Sequence, residues 1–133
     1  MDRRRLALVA LLSFAVFTAV AIVVSGSRPV PEQGSAPWIV QGLGYLSALV
    51  AAVVLLAPGG LPGPPAGADR KLGGVLLAAL AILVLLDAFA FDSSGGANIG
   101  AGILRLVCLV GIVAAAGRLM ATTVALGRRG SRP

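Results

Sequence analysis

Four long apolar runs, separated by short breaks, set the pattern of the chain. They cover residues 6–24, 36–57, 72–91 and 98–117, and the last continues more weakly to 126. Each holds about 19 to 22 residues, and a helix of that length reaches roughly 30 Å, the thickness of a bilayer's hydrocarbon core. None alternates apolar and polar residues with period two, so strands of a membrane barrel are not indicated. The pattern predicts an all-α membrane protein: a four-transmembrane-helix bundle built of two helical hairpins, one membrane domain over 1–133.

The breaks are rich in residues that interrupt helices. Residues 25–35, SGSRPVPEQGS, hold prolines and glycines, and residues 58–68, PGGLPGPPAGA, are almost wholly Pro, Gly and Ala. Such a stretch reads as a semi-rigid linker between two hairpins. Residues 92–97, DSSGGA, read as a tight turn, with Asp69 and Asn98 expected to cap the third and fourth helices. A weak internal repeat is visible. Asp2-Arg3-Arg4-Arg5-Leu6 resembles Asp69-Arg70-Lys71-Leu72, and the second and fourth runs align at an offset of 60, matching Gly42 with Gly102 and Leu46 with Leu106.

Composition supports the membrane assignment. The 133 residues are 58% hydrophobic and only 12% charged, about half the charged share of a soluble domain, and the mean hydropathy is +0.98. The net charge of +6 would point to nucleic acid in a soluble protein. Here the basic residues flank the apolar runs, and aromatic residues make up 5%, so no stacking platform exists and nucleic acid is not an expected partner. Arg3, Arg4, Arg5, Arg70, Lys71, Arg118, Arg128, Arg129 and Arg132 fall on one side of the membrane, and Arg28 alone on the other. The positive-inside rule then places both termini in the cytoplasm. Arginine far outnumbers lysine, and Ala, Gly and Val abound, which suggests a GC-rich bacterial genome and hence the bacterial plasma membrane. A secretory-signal reading of the N-terminus competes, since Ala19-Val20-Ala21 is a small-x-small site. The apolar run continues through Val24, which favours an uncleaved anchor.

Polar residues inside the runs are the informative exceptions. Asp87 and Arg105 each cost about 2.5–3.5 kcal/mol to place deep in a bilayer. They sit symmetrically about residue 96, in the turn of the second hairpin, so an antiparallel pair brings them to similar depth. Three readings compete: separate snorkelling to the headgroups, a salt bridge that fixes helix register, or an ion or substrate site. Thr18, Gln41 and Tyr45 lie in the same outer half, and Gln41 and Tyr45 share a helix face. With Asp87 and Arg105 they form the candidate intramembrane polar cluster. The inner half is poorer in polar groups, with Ser13 and Ser47. Small residues suggest helix-packing faces: Gly44, Ala48, Ala51 and Ala52 in the second run, Gly74, Ala78, Ala81 and Ala88 in the third, and Ala101, Gly102 and Cys108 beside Arg105 in the fourth.

Site chemistry is otherwise sparse. Histidine is absent, which removes the usual haem ligand and the commonest general base and metal ligand. Cys108 is the single cysteine, so no disulfide or Cys-x-x-Cys pair can form within the chain. No phosphate-loop motif occurs. No catalytic, cofactor-binding or metal-binding residues are assigned, no cofactor is expected, and the chain is read as non-enzymatic. Its size and four helices resemble the small multidrug transporters, but the first run lacks the membrane glutamate of that family. The phenylalanine-rich polar track of small fluoride channels is likewise absent. The sequence therefore points to an accessory or structural subunit that acts through helix packing, its partners being the bilayer and a membrane protein or a second copy. The first alternative is a small transporter or channel built around Asp87 and Arg105. A phage-type holin, suggested by the hairpins and the basic tail GRRGSRP, ranks lower.

Overall fold

The computed structural model describes residues 3–26, 32, 34–57, 66–92 and 99–131. Four α-helices account for nearly all of them: α1 (Arg3–Ser25), α2 (Ala36–Leu56), α3 (Ala66–Asp92) and α4 (Ile99–Gly130). No strand occurs among the described residues. All four helices are long and apolar enough to cross a membrane. In sequence order they pack α1 on α2, α2 on α3 and α3 on α4, and α4 returns to α1. The result is the predicted all-α four-helix bundle.

Helix boundaries follow local chemistry. α1 ends where Gly26 adopts φ 57°, a left-handed geometry open to glycine, and the Gly26 amide donates to the Ile22 carbonyl at 3.1 Å. α2 begins after Gly34, also at positive φ, with Pro37 in the first turn, where its missing N–H costs nothing. α3 starts six residues earlier than the apolar run predicts, so Ala66, Gly67 and Ala68 are helical rather than linker. α4 runs to Gly130, four residues past the expected limit. In both cases the hydrogen-bonded backbone continues after the apolar pattern ends, because a helix needs no lipid to persist through a headgroup layer. The caps differ too. Asp69 lies inside α3 and caps nothing, while Asn98 and the turn at 93–97 fall outside the described residues, as does 58–65 of the linker.

Burial recurs every three or four residues on each helix. The buried positions are 4, 7, 10, 11, 14, 18 and 21 on α1, 37, 41, 44, 48, 51, 52 and 55 on α2, 69, 73, 76, 80, 83 and 87 on α3, and 108, 112, 115 and 119 on α4. This 3–4 spacing is that of side chains interlocking between helices that cross at shallow angles. Phe14, Leu11, Leu55, Leu83 and Leu119 fill the core, with Ala7, Ala48, Ala51 and Ala52 admitting close backbone approach. The outer surface is apolar: Ile39, Leu46, Leu106 and Val113 are each about 60% exposed. An interior that holds the polar side chains Arg4, Thr18, Gln41, Asp69 and Asp87 beneath an aliphatic exterior suits lipid rather than water.

The small-residue faces divide. Gly44, Ala48, Ala51 and Ala52 are buried against α1 and α3, as expected. On α3, Gly74, Ala78, Ala81 and Ala88 face outward, and the buried glycine is Gly73. A Cβ built on Gly73 would lie 2.9 Å from Leu56 Cγ and 3.2 Å from the Ala52 carbonyl, so α2 and α3 touch there. Gly102 is exposed with nothing near its Cβ position, and only Cys108 of the expected α4 face is buried. The reason is register. The inward stripe of α3 runs through Leu76, Leu80, Leu83 and Asp87 and that of α4 through Cys108, Ile112, Ala115 and Leu119, so small residues alone do not mark it.

Candidate functional site

The five predicted polar residues lie in one half of the bundle, joined in two groups. Asp87 is five residues before the end of α3 and Arg105 six after the start of α4, roughly 7 to 9 Å from those ends. Arg105 Nη1 donates to Asp87 Oδ1 at 2.8 Å. The Tyr45 hydroxyl donates to the other oxygen, Asp87 Oδ2. Asp87 thus receives one donor from α2 and one from α4, and α3 is tied to both neighbours through a single carboxylate. Phe14 stacks on the Tyr45 ring, with centroids 6.4 Å apart and planes inclined by 26°, which fixes the phenol over α3. One turn earlier on α2, Gln41 Nε2 makes a long 3.5 Å contact to Thr18 Oγ1 of α1.

Exposure within the group is uneven. The Asp87 side chain is 9% exposed and that of Arg105 40%. The carboxylate lies inside the bundle while the guanidinium reaches from its edge. The pairing distance selects the salt bridge over separate snorkelling, although Arg105 keeps part of its surface outward.

A second ion pair closes the opposite end. Arg4 Nη2 and Nε donate to Asp69 Oδ2 at 2.8 and 3.1 Å, linking α1 to α3, with side chains 1% and 9% exposed. In the sequence alone Arg4 reads as a topological flank and Asp69 as a cap, and the pair is not apparent. A signal was present. Asp69 is 18 residues from Asp87, five full turns, so it falls on the same stripe about 27 Å away. Leu76, Leu80 and Leu83 of that stripe mark it as the inward face. The serines of the inner half behave differently: Ser13 and Ser47 donate to the Val9 and Leu43 carbonyls of their own helices.

Among the described residues, no buried side-chain nitrogen or oxygen lacks a hydrogen-bond partner. No three His, Cys, Asp or Glu side chains converge there as metal ligands would. Cys108 is buried as a free thiol one turn from Arg105. The arrangement can hold helices in register and keep charges out of lipid. No nucleophile is paired with a base among these groups. Compared with protein families, curated proteins and solved structures, the chain finds no match.

Proposed function

We propose that this polytopic membrane protein resides in a bacterial plasma membrane with both termini in the cytoplasm. There it acts as a non-enzymatic accessory or structural subunit, through helix packing in the bilayer. The observation that supports this is the mutual satisfaction of its intramembrane polar groups. Asp87, Arg105, Tyr45, Gln41 and Thr18 bond one another across helices, and Arg4 and Asp69 do the same at the other end. Groups engaged in this way stabilise an assembled bundle. The aliphatic exterior then remains as the working surface, facing lipid and a membrane-protein partner or a second copy. Extraction from native membranes into polymer-bounded discs, followed by sizing and mass spectrometry, tests the reading. A stoichiometric partner or a second copy is expected, and the single chain alone would count against it.

The partial exposure of Arg105 favours a second reading, a small transporter or channel using the same cluster. Flux across proteoliposomes that disappears in a folded Asp87→Asn variant would establish that alternative.

A further inference from the structure

α4 is longer than a membrane crossing requires. Its 32 residues extend about 48 Å, against a bilayer of roughly 40–45 Å with its headgroup layers. Its final turns therefore pass through the headgroup layer at the end where α1 and α3 begin. There Arg128 and Arg129 are both exposed, and Arg128 continues the outward stripe of Met120 and Val124 at four-residue spacing. Val124 and Met120, one and two turns deeper in the membrane, are each about half exposed. An open cavity of about 560 Å³ lies along this face, its described wall running from Met120 to Arg129.

Among the described residues no carboxylate pairs with Arg128 or Arg129. Among the described residues the one carboxylate at this end is Asp69, and Arg4 holds it. Thr122 and Thr123 donate to the Arg118 and Leu119 carbonyls of their own helix, so the arginines are the polar groups this face presents.

We propose that this face of α4 is a binding site for an anionic phospholipid. Arg128 and Arg129 hold the phosphate, and an acyl chain lies along Val124 and Met120 toward the membrane interior. Arginine suits phosphate because its planar fork offers paired donors, and basic clusters beside a membrane helix draw anionic lipid electrostatically. The apolar strip leading from the cations into the membrane matches a ligand that has both a charged head and a tail, which a free phosphate or an acidic polymer lacks.

Native mass spectrometry of the detergent-extracted protein tests this, with phosphatidylglycerol and phosphatidylcholine of identical acyl chains as probes. The wild type should retain phosphatidylglycerol preferentially. The Arg128→Gln, Arg129→Gln double variant should retain it about tenfold less or lower, and Arg128→Gln alone a few-fold less. An Arg70→Gln, Lys71→Gln variant should bind as the wild type does. Circular dichroism confirms that each variant is folded, and the single variant serves if the double is not. Equal retention of the two lipids would overturn the proposal, as would wild-type retention by the double variant or an equal loss in the α3 variant. So would binding of polyglutamate at this face without any lipid preference.

Discussion

Arg4 and Arg105 each meet a carboxylate at 2.8 Å, in different surroundings. The Arg4 side chain is 1% exposed and that of Arg105 40%. Exposed pairs contribute about 0–1 kcal/mol, whereas removing one partner of a buried pair costs about 3–5 kcal/mol. Arg105→Gln or Asp87→Asn alone should therefore cost about 2 kcal/mol, between those limits, and Arg4→Gln should cost more. The Asp87→Asn, Arg105→Gln double variant should recover much of the single losses, because neither charge is left to desolvate. Equilibrium unfolding of the four members of that cycle measures the coupling, and additive losses would refute the pairing. The Asp87–Arg105 pair was legible because two ions in apolar runs flank one turn symmetrically. Tyr45 as a second donor to Asp87 was not, since the register of α2 against α3 depends on packing between distant segments. The same holds for Arg4, which a sequence presents as one of three adjacent arginines.

The four helices themselves were readable from apolar length, because lipid imposes the same requirement on every span. Their ends were less so. Polar segments such as Asp69-Arg70-Lys71 extend a helix beyond the lipid core without leaving an apolar trace. The inward faces were readable on α2, where alanine and glycine follow the seam, and misread on α3 and α4, where small residues also face outward. Two glycines separate the accounts. Gly73→Leu should destabilise the bundle by about 1–3 kcal/mol or more through overpacking, since even a Cβ would press on Leu55, Leu56 and Ala52. Gly102→Leu should leave the stability of the isolated chain unchanged, for nothing lies near its Cβ position. Thermal unfolding in detergent checks both, and the reverse order would contradict this register of α3 and α4.

Alternating helices joined into a ring place the starts of α1 and α3 and the ends of α2 and α4 together. The basic residues concentrate at that end. With Cys108 replaced by Ala, cysteines at Ser27 and Ser94 should react with an impermeant reagent from outside intact cells, and those at Gly63 and Ser131 should not. External labelling at position 63 would overturn the proposed orientation. On the proposed reading, the polar groups of this bundle close its interior rather than line a path through it. Cys108 reports on that without any substitution. It is buried and one turn, about 4.5 Å along the axis, inward of Arg105. A small, charged, water-soluble methanethiosulfonate applied to both faces of the membrane should leave Cys108 unmodified while the protein is folded, and modify it fully after denaturation. Modification in the folded state, at a rate near that of a free thiol, would mean that water passes the Asp87–Arg105 pair into the core, and would contradict the account.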